Sequence, residues 1–107
     1  MTGAINTIGS DHASYSPAAK AKGNNNIFEA PFGMPGAPTH FPCMFTWALE
    51  NNVALPMLIR AMAEAPARLF GLGARKGALN PGMDADIILV DPAARRTVDA
   101  AKIWPDV

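Results

Sequence analysis

The residues able to do chemistry are sparse in this chain, and the first group is the most telling. Thr7-Ile8-Gly9-Ser10 is a short apolar run that ends in Asp11 and His12, and a polar, Pro- and Gly-rich stretch follows. A carboxylate at the C-terminal end of a strand, just before a long loop, stands where many enzymes place a metal ligand or a proton carrier. Aspartate in that setting also caps turns, and spacing alone favours this plainer role. The other donors do not gather. His12, His40 and Cys43 have no metal-ligand spacing among them. If strand geometry continues past Asp11, His12 points to the opposite face and has a packing or supporting role. His40 falls at a helix start and reads as a surface or capping residue. Cys43 reads as a small buried hydrophobe. Asp84-Ala85-Asp86 imitates a metal-binding pair by type alone.

The elements that must position these residues follow from the apolar pattern. Residues 4–10 read as a strand, with Ile5, Thr7 and Ile8 as β-formers and Gly9 allowing close backbone approach. Residues 11–38 are too long for an ordinary connection and read as a functional loop, with one or two helical turns at residues 17–22. Thr39 is placed to cap the first strong helix, with Pro42 in its first turn. Phe41, Met44, Phe45, Ala48 and Leu49 form one apolar face, and Asn51-Asn52 ends the helix. Leu55, Leu58, Ile59 and Met62 mark a second helix. Pro66 opens a third, which Gly71 closes as the C′ residue. Beyond Gly71 the pattern turns to β. A short strand and a type II turn centred on Pro81 and Gly82 come first. Ile87-Ile88-Leu89-Val90 follows as a strand buried on both faces, then residues 95–98 as another.

Composition bounds the rest. With 107 residues the chain is one domain or a piece of a larger one. Nine basic and nine acidic residues cancel, which argues against nucleic acid or an anionic membrane as a partner. No apolar run approaches a membrane span. The single cysteine cannot form an internal disulfide and fits a reducing, cytoplasmic setting.

Several segments, taken in order, resemble a known family. They are Ile8-Gly9-Ser10-Asp11-His12, Ala30-Pro31-Phe32-Gly33-Met34-Pro35-Gly36, Ala65-Pro66-Ala67-Arg68-Leu69-Phe70-Gly71-Leu72, Lys76-Gly77, and Gly82-Met83-Asp84-Ala85-Asp86 running on to Asp91-Pro92. Together they resemble the C-terminal part of cyclic amidohydrolases: dihydroorotases, allantoinases and the hydantoinase–dihydropyrimidinase group. The resemblance implies an α/β fold, a (β/α)8 TIM barrel flanked by a β-sandwich. Residues 1–72 would supply the last barrel strand and closing helices, and residues 73–107 part of the sandwich. On this reading the chain is a C-terminal fragment. Met1 would be an internal methionine or an alternative start, and Trp104-Pro105-Asp106-Val107 would stop short of the family's usual end.

The resemblance also implies roles. Asp11 matches the aspartate that ligates a metal, expected to be Zn2+ in a mononuclear or binuclear site, and carries a proton to the leaving nitrogen. The remaining ligands, histidines and a carboxylated lysine, would lie on earlier strands. Phe32 and Gly33 match the segment whose backbone hydrogen-bonds a small-molecule cyclic amide substrate. Tyr15 stands where typical dihydroorotases carry a histidine that grips the substrate carboxylate. A tyrosine hydroxyl grips a carboxylate less strongly, which is closer to the hydantoinase pattern. Asp84 and Asp86 match a sandwich-strand entry away from the site. The parent enzyme would be a homo-oligomer. A rival of another class is a non-catalytic interaction module that docks its two apolar helix faces on a partner.

Overall fold

Helix ends in this chain are written by individual residues. The computed structural model describes residues 4–99; residues 1–3 and 100–107, including the C-terminal end noted above, lie outside the described residues. Ser16 accepts the Ala19 N–H on its Oγ at 3.2 Å and Pro17 opens α1, Pro17–Ala21. A 3-10 turn, Lys22–Asn24, continues α1, and a second, Ile27–Glu29, is capped by the Asn26 side chain.

The long helix α2, Ala37–Glu50, starts two residues before the cap expected at Thr39. The Gly36 carbonyl takes the Thr39 and His40 N–H groups, and the Thr39 hydroxyl donates to the same oxygen at 3.3 Å. Thr39 is therefore inside the helix. Pro42 lies beyond the first turn, where its missing N–H removes a ladder bond. Asn52, at φ +53°, ends α2 as foreseen. Its N–H bonds Leu49 O and the Val53 N–H bonds Ala48 O at 2.8 Å, which is a Schellman closure.

The expected second and third helices form one run. α3, Leu55–Ile59, passes through a π-helical turn, Arg60–Glu64, into α4, Ala65–Leu69. Pro66 explains the π turn. Ala65 N–H reaches back to Arg60 O and Pro66 has no N–H, so Ala61 O finds no donor four or five residues on. The Ile8 N–H fills that vacancy at 2.9 Å. Gly71, at φ +74°, closes α4 with a second Schellman pair, Gly71 N–H to Arg68 O and Leu72 N–H to Ala67 O.

The chain divides into two units. One holds the residues up to Gly9 with Met44–Ala94, and the other holds Ser10–Cys43 with the residues from Arg95 on. In the first, Ala48, Leu58, Ala61 and Ala67 are buried. Ile5, Ile8, Trp47, Met57 and Leu58 line a cavity of about 250 Å³ there.

The strand expectations fail. Among the described residues there is no β-strand, only an isolated bridge between His12 and Met34. Residues 4–10 make contact with a helix carbonyl, not with a neighbouring strand. Ile87, Ile88, Leu89 and Val90 are exposed by 60%, 67%, 97% and 42%, where burial on both faces was expected. Residues 77–79 and 95–98 likewise form no strand. A strand's N–H and C=O groups must be met by a neighbouring strand, and the described residues hold none. The α/β pattern in the sequence is thus not realised by this stretch, whose regular structure is helical. The Pro81-Gly82 turn needs no such neighbour and forms: Gly82 has φ +87° and Met83 N–H bonds Asn80 O at 3.1 Å.

Candidate functional site

Asp11 sits at a corner. Its φ is +47°, in the left-handed region that aspartate tolerates better than most residues and that still costs energy. Backbone held in such a conformation clusters at functional sites. The corner also ends any strand alternation, so the face argument for His12 does not apply. The Asp11 side chain is exposed.

Immediately after the corner, the chain runs beside the Pro31–Gly36 segment. His12 and Met34 form a parallel bridge, and the Ala13 N–H donates to Met34 O at 3.1 Å. Gly33 makes this approach possible. At φ +134° it has no room for a side chain, because a Cβ would lie 2.4 Å from Ala13 O. A Cβ on Gly36 would lie 2.8 Å from Ser10 O. Two glycines of one motif therefore let the backbone of the other motif pass. The residues on either side of Asp11 and the Gly33–Gly36 stretch are thus adjoining lengths of backbone.

His12 fixes the corner from its other side. Its Nδ1 accepts the Ala37 N–H at 3.1 Å. That N–H is the first of α2 and has no partner within the helix, so the imidazole acts as a side-chain cap. This is a supporting role, of the kind anticipated, but with an atom and a target that spacing did not reveal. His40, expected at the surface or as the cap, instead lies inside the first turns of α2. It is half-buried, and its Nε2 is buried without a hydrogen-bond partner among the described residues. The early start of α2 moved it from the cap to the helix interior. Cys43, expected to be buried, is an exposed free thiol, because this part of α2 turns that side chain to solvent.

Tyr15 is 40% exposed, and the Lys20 ammonium lies 5.7 Å from its ring centroid. Phe32 is exposed, which leaves its side chain out of the packing and its backbone as the informative part. Lys20 had no place in the sequence reading. The signal available was a cation five residues after an aromatic, and that is weak.

Asp84 and Asp86 belong elsewhere. Both accept from Lys76, and Asp84 also pairs with Arg75 at 3.0 Å. Hydrogen bonding to Lys76, then to Arg75, holds the Asp84 carboxyl below its ordinary range, while Asp86 and then Asp84 raise Lys76. The pair is a surface clasp. Among the described residues no three of His, Cys, Asp and Glu gather as a metal ion would need. Asp11 offers a single carboxylate, so these residues alone do not fit a complete metal site.

The matches to known proteins fall on this frame. The amidohydrolase family profile matches residues 1–106, and the chain belongs to that family. An L-hydantoinase from Paenarthrobacter aurescens is 36% identical over 101 residues, covering 94% of this chain and 22% of that protein. A D-phenylhydantoinase from Escherichia coli O1:K1 is 33% identical, over 84% of this chain and 20% of the relative. A dihydroorotase from Methanothermobacter thermautotrophicus is 39% identical, over 81% and 19%. These names are those of hydrolases acting on cyclic amides. The chain spans about a fifth of the length of the curated relatives it matches. No solved structure gives a significant match.

Proposed function

We propose that this chain is the C-terminal part of a hydrolase that opens the C–N bond of a cyclic amide, with Asp11 as its proton carrier. The observation that supports the reading is the strained Asp11 corner, whose flanking residues Ser10, His12 and Ala13 run beside the Gly33–Gly36 backbone. A cyclic amide is a poor electrophile and water a poor nucleophile. The reaction needs a carboxylate that takes a proton from the attacking water and gives it to the nitrogen as the C–N bond breaks. Asp11 is exposed, and its chain neighbours adjoin the Pro31–Gly36 backbone proposed to hydrogen-bond an amide ring. In the whole protein we propose a (β/α)8 barrel with a flanking sandwich, divided near residues 72 and 73, and a small-molecule cyclic amide as substrate. We propose Asp11 also as one ligand of a zinc site, with the other ligands supplied from outside this stretch.

The test is Asp11→Asn in the full-length protein. The amide keeps the shape and the tolerance for positive φ but cannot carry the proton. Ring opening of a hydantoin and of dihydroorotate should fall on the order of 10²–10⁴-fold. A loss of only a few-fold would remove Asp11 from the chemistry. Tyr15 is the residue proposed to face the ring substituent. Tyr15→His should raise kcat/KM for dihydroorotate relative to a hydantoin, since an imidazolium makes a charge-assisted bond to a carboxylate. An unchanged ratio would take Tyr15 out of the substrate site.

A further inference from the structure

Lys20 joins the two segments proposed to read the substrate. It lies in the last turn of α1, which Ser16 and Pro17 start and which carries its half-buried side chain back toward Tyr15. Its ammonium makes two different interactions at once. It donates to the Pro31 carbonyl at 2.5 Å, and it stands over the Tyr15 ring at 5.7 Å from the centroid. The first needs a donor and the second needs a cation. Lysine supplies both from one atom.

The carbonyl it grips matters more than its residue name suggests. Pro31 C=O and Phe32 N–H belong to the same planar trans peptide, so they point in opposite directions and turn together. Fixing the carbonyl fixes the Phe32 N–H. The preceding peptide, Ala30–Pro31, has no N–H and so offers no donor to anchor this part of the backbone. Gly33, next in line, is held against Ala13, so the peptide between is pinned from both ends.

We propose that Lys20 is a positioning residue: it aims the Phe32 N–H and holds the Tyr15 ring at a set distance from it, so that the two segments meet the substrate as one rigid edge. This rests on the function proposed above for Tyr15 and Phe32, and it adds a third residue that touches neither the substrate nor the reacting atoms.

The experiment uses three variants of the chain and needs no substrate. Lys20→Met removes donor and cation, Lys20→Gln keeps a donor, and Lys20→Arg keeps both. Tyr15 is the only tyrosine of the chain, so its ring resonances are unambiguous by NMR. Lys20→Met should move both the Tyr15 ring signals and the Phe32 amide. Lys20→Gln should move the Tyr15 ring signals and leave the Phe32 amide closer to its original position. Lys20→Arg should restore both. A Phe32 amide unmoved in Lys20→Met overturns the proposal. A second measurement does not depend on resolved spectra: acylation of the unsubstituted chain by an amine reagent, followed by peptide mass spectrometry. Lys20 should react several-fold more slowly than the exposed Lys22 two residues away, and equal rates overturn the proposal. In the full-length enzyme Lys20→Met should raise KM several-fold with kcat held within about twofold, because orientation of the bound ring is lost and the proton carrier is not. A change confined to kcat would also overturn it. Failure of the unsubstituted enzyme to open cyclic amides counts against the function proposed above, and leaves the clasp to be decided by the NMR and acylation results.

Discussion

Two Gly- and Pro-rich stretches of this chain, residues 10–36 and residues 71–94, read alike in sequence and behave differently in space. In the first, bonds cross between distant points of the loop. Ala13 meets Met34, Lys20 meets Pro31, and His12 reaches Ala37, 25 residues on. In the second, surface turns and exposed ion pairs stand out: the Asn80–Met83 turn, the Asp91 side chain on the Ala93 N–H, and the clasp of Arg75 and Lys76 on Asp84 and Asp86. The apolar run at 87–90 lies exposed between them. A loop that carries a site can be determined by groups within its own thirty or so residues, whereas a strand needs a neighbour. Residues 10–36 hold the pieces of their own arrangement. Residues 71–94 hold turns and charges that would frame a sheet, and among the described residues there is no strand.

That contrast can be broken most forcefully at its glycines. Gly33→Ala should cost more than about 2 kcal/mol, since φ +134° is strained for any side chain and the new Cβ would strike Ala13 O. Gly82→Ala should cost only about 1–2 kcal/mol, because nothing lies near its Cβ and only φ +87° is strained. Denaturant unfolding, with hydrogen exchange at the Ala13 amide, compares them. Equal costs would mean that the 12–34 pairing adds nothing to residues 10–36.

A smaller effect is expected at His12. His12→Ala removes the cap on the Ala37 N–H and should cost about 1 kcal/mol, with faster exchange at Ala37. His12→Asn, which can also accept that N–H, should recover part of the loss. No change at Ala37 in His12→Ala would show that the cap is incidental.

The smallest effect belongs to the clasp in residues 71–94, and its pH dependence has a definite sign. Asp84 is held below its ordinary value, so its contribution is present above the usual carboxylate range and is lost as pH falls through the depressed value. Lys76 is raised above its ordinary value, so its contribution is complete below that value and is lost as pH rises through the raised one. The clasp is therefore tightest between these limits. Protection of the Asp84 amide relative to its intrinsic exchange rate, which reports its bond to Arg75 O at 2.8 Å, should fall at acid pH and in high salt. Protection at Ala13 should be much less sensitive to salt, since backbone groups hold it. If both amides responded equally to salt, the two stretches would be held by the same forces and the contrast would dissolve.

The sequence named Asp11, Phe32 and Gly33 through motifs whose Gly and Pro content called for rigid, closely approached backbone, and Gly33 is one of the points of approach. The target of His12 and the role of Lys20 were unseen. Their partners, Ala37 N–H and Pro31 O, are backbone groups that carry no mark in the sequence. His40 was misplaced through the start of α2, which lies far enough before Thr39 to put His40 inside the helix, and Cys43 because residue type does not say which face of a helix meets solvent.

By itself the sequence determined several helix ends and one turn, though not the start of α2 or the joining of α3 to α4: Ser16 and Pro17 for α1, Asn52 for the end of α2, Gly71 for α4, Pro81 and Gly82 for the type II turn. Each is an interaction over three to five residues, which chain connectivity supplies without help. It also determined the family, through motifs in a fixed order. Only tertiary structure decided that Asp11 would turn left-handed, that His12 would cap α2, that Ile8 would fill the carbonyl left open by the π turn, and that the apolar run at 87–90 would lie exposed. These outcomes depend on which groups meet across the folded chain, and residue type fixes the capacity for such a meeting but not the partner.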